Sequence, residues 1–440
     1  MAAKGGNLRN SCAFHGALQT VKEIAGVVPI VHSTAGCTIQ GTYGDELNTI
    51  SNFHISSSNI IEKQVIFGGT SRLREQIKNT IKVIDGDLYI VLSGCTSELV
   101  GDDIIAMTRE AKEEGKKIIY CKTPGFKGNV YKGYEDVVSS IINQLPEVFV
   151  LERKRDERLV NVFGIMPNEN PFWRGNLQEL KRILEGIGLK LNILFGPEGS
   201  VDSWRNVPVA ALNIVVSSYG KKAAEDLNNK YNTPFVIFDN IPIGANETRI
   251  FLNRIVELTN TNKEKAKLFI DKEEELESYY LERLLDSYIK YNFQRNIALV
   301  GSESTVIGLT KYLYMYFGLI PKVVIITDKR SGEYGIFSNE YRFTELYFTE
   351  AEGEIKKILE NTNIDLILGS SIEEMIALDL GIPFQIISSP NFNRIILDKG
   401  ILGFKGGLNL LEDIANTILK LEEEKDCKSY KNIKRLLGVK

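Results

Sequence analysis

Short apolar runs rich in Val and Ile alternate along the chain with longer stretches whose apolar positions recur at helical spacing. A parallel sheet covered by helices writes that alternation into a sequence, and it predicts the α/β class. In the first part, Val27–Val31, Leu88–Leu92 and Lys117–Cys121 read as buried strands, with helices over Thr70–Val83, Gly101–Glu113 and Tyr134–Gln144. A second series follows: a strand at Val160–Ile165, a helix over Gly175–Gly186, strands at Leu189–Leu194 and Leu212–Val216, a helix over Lys221–Lys230 and a strand at Pro234–Phe238. The stretch Asn262–Tyr291 is dense in Lys, Glu and Leu without Pro or Gly, which predicts a long, solvent-faced helix bridging to a third series. That series comprises a strand at Asn296–Val300, a helix at Thr305–Phe317, a strand at Lys322–Thr327, a helix at Glu354–Asn361, strands at Asp365–Leu368 and Pro383–Ile387, and a final helix. Three α/β units are expected, over residues 1–157, 158–292 and 293–440.

Composition narrows the functional classes. With 440 residues, 43% of them hydrophobic, the chain can bury several cores. A quarter of the residues are charged, the net charge is −4 and no polybasic tract stands out, so nucleic acid is not an expected partner. No apolar run reaches the about 20 residues that span a bilayer, and the first ten residues lack the apolar core of a signal peptide. The expectation is a cytoplasmic protein with no membrane association. Small residues occur in Phe67-Gly68-Gly69, Ser93-Gly94 and Gly301-Ser302-Glu303-Ser304, read as turns after strands, where parallel sheets open a ligand crevice. Neither a phosphate-binding G-x-x-x-x-G-K-[ST] loop nor a dinucleotide G-x-G-x-x-G turn is present, which leaves nucleotide binding by this chain weakly supported.

The cysteines change the picture most. There are five, Cys12, Cys37, Cys95, Cys121 and Cys427, an odd number that argues for reduced thiols over a disulfide framework. The three histidines, His15, His32 and His54, all lie near the amino terminus, and neither Cys nor His occurs between Cys121 and Cys427. A thiolate-held metal therefore belongs to the first unit, unless Cys427 folds back against it. Cys12, Cys37 and Cys95 each sit beside glycine or small residues, as in Ser33-Thr-Ala-Gly-Cys37 and Gly94-Cys95-Thr-Ser97, where backbone amides can approach a sulfur-rich cluster. Zinc is the competing metal, but no C-x2–4-C knuckle is present. Nucleophilic catalysis would pair a thiolate with His15 or His32, and nothing in the sequence places them together. Taken singly, each cysteine reads as a small buried hydrophobe; three such settings favour a cluster. Three thiolates are one short of the usual four, and a partner subunit is the natural source of the fourth.

At these residues the chain resembles nitrogenase component 1, specifically its beta chain, whose cluster cysteines share the separations of 25 and 58 positions found here. The resemblance extends to Glu62 with Val65-Ile-Phe-Gly-Gly69, to Cys95-Thr-Ser-Glu-Leu-Val-Gly-Asp-Asp103, to Thr123-Pro-Gly-Phe-Lys-Gly128 and to the late Gly403-Phe-Lys-Gly-Gly-Leu-Asn409. It covers nearly the whole chain. It implies three Rossmann-like units, each a mostly parallel sheet flanked by helices. It also implies that Cys12, Cys37 and Cys95 ligate an iron–sulfur cluster, [4Fe–4S] or the [8Fe–7S] P-cluster type, shared with an alpha-like subunit in an α2β2 complex. The role it implies is electron relay in an oxidoreductase: a separate ATP-dependent iron protein delivers electrons, and the alpha chain holds the catalytic cofactor. Two alternatives from the same resemblance are an assembly scaffold for such a cofactor and a subunit reducing tetrapyrroles or other organic substrates.

Secondary candidates surround the cysteines. His15, His32, Ser57, Gly94 and Asn129 are candidates for contacts just outside the ligand set; Phe14-His15 departs from the family's usual pair, and Asn129 stands where the beta chain tends to carry a cluster-ligating serine. The serine run Ser56-Ser57-Ser58 also fits a plain loop. Gly101-Asp102-Asp103 fits a helix cap better than a magnesium or proton-relay site. Cys121, at the end of an apolar strand, reads as structural, and Cys427, within Glu422-Glu-Glu-Lys-Asp-Cys427, as a surface thiol.

Overall fold

The computed structural model describes residues 9, 11–42, 55–151, 154–291, 293–328 and 344–436. It is α/β throughout, with three parallel sheets flanked by helices. The first unit runs α1 (Ala13–Lys22), β1 (Val27–His32), α2 (Ala35–Thr42), β2 (Ser56–Ser57), α3 (Glu62–Phe67), α4 (Thr70–Val83), β3 (Leu88–Ser93), α5 (Cys95–Val100), α6 (Ile104–Glu113), β4 (Ile118–Lys122) and α7 (Val130–Val148). Its strands lie in the order β2-β1-β3-β4, all parallel. Every residue of β1 and β3 is buried, as expected of strands covered on both faces. Pro29, which has no N–H to give, is tolerated inside β1 because β2 pairs only at Ile30 and Val31, leaving that edge unpaired at position 29.

The second unit continues with β5 (Asp156–Phe163), α8 (Trp173–Gly186), β6 (Lys190–Asn192), α9 (Val201–Arg205), β7 (Ala210–Val215), α10 (Lys221–Tyr231), β8 (Phe235–Ile237), α11 (Gly244–Leu258), α12 (Lys263–Glu282) and α13 (Leu285–Lys290). Its strand order is β6-β5-β7-β8. The third comprises β9 (Ile297–Gly301), α14 (Glu303–Phe317), β10 (Val323–Ile326), β11 (Glu345–Phe348), α15 (Glu352–Asn361), β12 (Leu366–Gly369), α16 (Ser371–Leu380), β13 (Phe384–Ile386) and α17 (Gly403–Leu436), in the order β11-β10-β9-β12-β13.

Several sequence expectations are corrected. The helix expected over Gly101–Glu113 is two: Gly101 takes a left-handed φ of 81° that ends α5, and Asp103 starts α6 by accepting a hydrogen bond from Ala106 N. The bridging helix divides after Glu282, and it is not simply solvent-faced. Ala266, Ile270 and Glu277 are buried, and Arg182 of α8 clasps Glu273 at 2.7 Å. The turn at Phe67-Gly68-Gly69 follows a helix, not a strand. The closing glycine motif heads α17, which packs on α8, α11 and α12 of the second unit. A Cβ on Gly407 would stand 2.7 Å from the Gly244 Cα, so this motif permits backbone contact between units. Among the described residues no helix is long and apolar enough to cross a membrane.

Candidate functional site

The site is built where α1 crosses α7. A Cβ on Gly16 would lie 2.0 Å from the Val130 carbonyl oxygen and one on Gly133 would lie 2.0 Å from that of Ala13, so the two helices touch backbone to backbone. This contact draws Cys12, the residue that caps α1, into an antiparallel bridge with Asn129, and Ala13 N donates to Gly128 O at 2.9 Å. Cys95 arrives from the carboxyl end of β3 as the first residue of α5, and Cys37 lies in α2, just beyond the end of the neighbouring β1. The cysteines thus stand at or inside helix starts rather than on open loops.

Gly125 joins two of them. It lies in a short turn after β4, its N–H donates to Cys95 Sγ at 3.1 Å, and a Cβ there would stand 3.0 Å from Cys12 Sγ and 3.2 Å from Cys95 Sγ. The sulfurs of Cys12 and Cys95 therefore converge on one backbone position that only glycine leaves open. Cys37 is half-buried, packs against the main core, has Thr34 Oγ1 at 3.8 Å from its sulfur and makes no contact with Gly125 like those of the other two. None of the four described cysteines forms a disulfide. Among the described residues no group of three His, Cys, Asp or Glu could hold a single metal ion. A cluster asks for a wider spacing than one ion, because each thiolate binds a different iron.

Cys121 differs in kind. It is buried in the core, and desolvation pushes its thiol up to about 12, so it stays protonated and unreactive. The side chain of Cys427 lies outside the described residues.

The remaining candidates scatter. His15 is buried, with Nε2 facing the Gln19 amide at 2.9 Å on the next turn of α1. His32 is wholly buried; its Nε2 meets Asp102 Oδ2 at 3.0 Å and its Nδ1 meets Ser58 Oγ at 2.8 Å, so the ring bonds neither cysteine. Burial lowers its pKa despite Asp102, which keeps the ring neutral. Ser57 accepts from Thr38, the residue after Cys37, at 2.9 Å. Gly94 has no space for a side chain, since a Cβ would meet Ser33 Oγ at 2.1 Å, and its N–H donates to His32 O at 3.0 Å. Asn129 holds Cys12 through the backbone and makes no side-chain cap to α7. Gly125 and Asp102 are the two residues that sequence reasoning passed over. The first lay inside the quoted Thr123-Pro-Gly-Phe-Lys-Gly128 run, and the second was read as a cap.

Fold and site together define a three-unit parallel α/β protein in which the thiols of Cys12 and Cys95 meet at Gly125 in its first unit. Residues 12–419 match the family described as nitrogenase component 1 type oxidoreductase, and the chain belongs to it. It is 26% identical to the nitrogenase molybdenum-iron protein beta chain of Methanococcus maripaludis, with 95% of each chain covered. It is 24% identical to the nitrogenase iron-iron protein beta chain of Rhodobacter capsulatus, covering 92% of this chain and 91% of that one. Among solved structures, "Nitrogenase Cp1 at pH 6.5" shares the fold at a TM-score of 0.80 and 22% identity, over 96% and 95% of the two chains.

Proposed function

We propose that this chain is a beta-type subunit of a nitrogenase-like reductase, in which Cys12, Cys37 and Cys95 hold an iron–sulfur cluster shared with an alpha-like partner. The observation that carries this reading is the convergence of the Cys12 and Cys95 sulfurs on Gly125, whose amide already donates to one of them. The donor set fits such a group: soft thiolates, a backbone N–H aimed at sulfur, and no bulk between. When bound, the cluster would supply one-electron transfer at a potential tuned by such hydrogen bonds. This chain's own residues then supply rigidity. Gly125 and Gly94 hold the turns, and Asn129 fixes Cys12 through the backbone.

Three thiolates leave a cluster incompletely ligated, and apolar side chains surround the crevice region: Ile39, Phe67, Leu99 and Phe126 are 57%, 80%, 76% and 57% exposed. An alpha-like chain would cover part of this surface and contribute the missing ligands. The absent phosphate loop fits delivery of electrons by a separate ATP-dependent iron protein. The absence of Cys and His between Cys121 and Cys427 fits a substrate site chiefly in the partner, and a cytoplasmic setting suits reduced thiols.

The test is iron and acid-labile sulfide content, with EPR before and after dithionite, on protein co-purified anaerobically with its partner, for wild type and Cys37→Ala. Iron and an EPR signal that disappear in the variant support the shared site, and the iron count separates a four-iron from an eight-iron centre. A metal-free wild-type complex sinks the reading.

A further inference from the structure

The His32 ring turns away from the cysteines, yet its backbone holds one of them. The His32 carbonyl accepts from Gly94 N at 3.0 Å and from Ser97 Oγ at 2.7 Å, and Cys95 lies between those two residues. Asp102 closes the loop from the other side. Its backbone N–H donates to Ser97 O at 3.0 Å, while its carboxylate accepts from His32 Nε2 at 3.0 Å, from Gly69 N at 2.6 Å and from Thr70 Oγ1 at 3.3 Å. A carboxylate only accepts, so Nε2 carries the ring proton and Nδ1 accepts from Ser58 O–H. Ser58 in turn takes Arg72 Nε on its carbonyl at 3.0 Å. Both ends of this network are anchored, and one end is exposed: Phe67, just before Gly68-Gly69, is 80% accessible.

We propose that His32 and Asp102 are positioning residues that couple the turn at Phe67–Thr70, exposed at Phe67 and buried at Gly69, to the turn presenting Cys95, so that displacement of Gly69 is passed through the Asp102 carboxylate and the His32 ring to Gly94 and Ser97. The coupling is specific because a carboxylate holding three donors cannot shift for one without weakening the others. Gly69 is the lever. A Cβ there would stand 2.5 Å from Asp102 Oδ2 and 3.2 Å from His32 Cε1, so Gly69→Ala pushes on this pair from the far end without touching a cysteine. As a functional device the coupling rests on the proposed cluster site, but it can be measured without a cluster.

The experiment is hydrogen exchange and thiol alkylation on the full, reduced chain for wild type, Gly69→Ala, Asp102→Asn and the exposed control Lys63→Ala. Exchange across residues 94–97 and the labelling rate of Cys95 are expected to rise about tenfold or more in the first two variants, the factor carried by one lost bond to a charged group, and to stay unchanged in the control. Because the chain has three histidines, ring 15N shifts can be assigned, and Asp102→Asn should move the His32 proton from Nε2 to Nδ1. Faster exchange confined to residues 61–72, with residues 94–97 and Cys95 as in wild type, overturns the coupling. If Asp102→Asn also loosens Ile297–Gly301, it has unfolded, and Gly69→Ala alone decides. A complex without iron would remove the cluster reading and leave this result standing.

Discussion

The carboxyl ends of the first and third sheets are furnished in opposite ways. In the first, the half-buried thiols of Cys12 and Cys95 face a turn kept clear by Gly125, whose backbone amide donates to Cys95 Sγ. In the third, the chain fills the crevice from within. Glu373 folds back onto Ser370 N at 2.9 Å and also pairs with Arg9, both charged side chains being essentially inaccessible. Asp328 accepts from Glu303 N at 3.0 Å and from Tyr219 O–H at 3.2 Å. Beside them lies a cavity of about 50 Å³ lined by Arg9, His15, Glu169, Ser302 and Ser389. Parallel topology supplies the crevice, but side chains decide whether it receives a ligand or closes. The contrast is consistent with the proposed cluster site lying in the first unit.

The sharpest way to break the comparison is to open the closed crevice. Glu373→Ala removes the carboxylate paired with the buried Arg9 guanidinium and should cost about 3–5 kcal/mol, read as a lower urea midpoint at unchanged slope. Replacing both partners by apolar residues of similar volume should cost far less, since it also removes the buried cation. A near-neutral Glu373→Ala would mean that this pair does not hold the third crevice shut.

The second test is pH. Glu169, buried and facing Tyr131 and Asp328, is pushed by desolvation from 4.5 up to about 7, although the Tyr131 hydroxyl donates to it and pulls the other way. Between those values the unfolded chain has lost its proton while the native chain keeps it, so stability falls as pH rises and levels off above about 7. The full effect is on the order of 3 kcal/mol. Glu277 is raised to about 7 for the same reason and adds a slope of the same sign. Urea denaturation at pH 5 and pH 8 should show the wild type losing stability and Glu169→Gln losing less of it.

On the open side, Gly125→Ala drives a methyl against two sulfurs and should cost about 1–3 kcal/mol by overpacking. Its larger consequence is chemical. The variant should lose bound iron in the co-purified complex while keeping its far-UV circular dichroism, and retention of full iron content would mean that the sulfurs do not need this turn.

Legibility in the sequence followed burial. β1, β3 and β4 announce themselves because parallel strands covered on both faces must be continuous apolar runs. β2 does not, because Ser56 and Ser57 pair with only two residues of an edge and carry no apolar signal. Helices α1, α2, α3 and α5 escaped for a related reason: they are short or glycine-bearing, too short to write a clear helical period into the sequence. For the site, spacing and small neighbours singled out Cys12, Cys37 and Cys95, but not how they are held. Gly125 approaches Cys12 from more than a hundred residues away in the chain, and His32 bonds Asp102 across a separation of 70, distances at which local pattern says nothing.

The finest distinction lies between two adjacent aspartates that a sequence reading treats alike. Asp103 is exposed and accepts from Ala106 N at 2.9 Å at the start of α6, an ordinary cap. Asp102 has a side chain only 3% accessible and gathers His32, Gly69 and Thr70. Asp103→Ala should therefore cost about 1 kcal/mol, and Asp103→Asn close to nothing, because an amide oxygen caps as well as a carboxylate. Asp102→Asn should cost more than either, since the amide turns an N–H toward donors that the carboxylate accepted. Urea midpoints for the three variants read the order directly. Equal costs at the two positions would reduce Asp102 to a second cap and remove the physical difference between the helix start and the cysteine turn it borders.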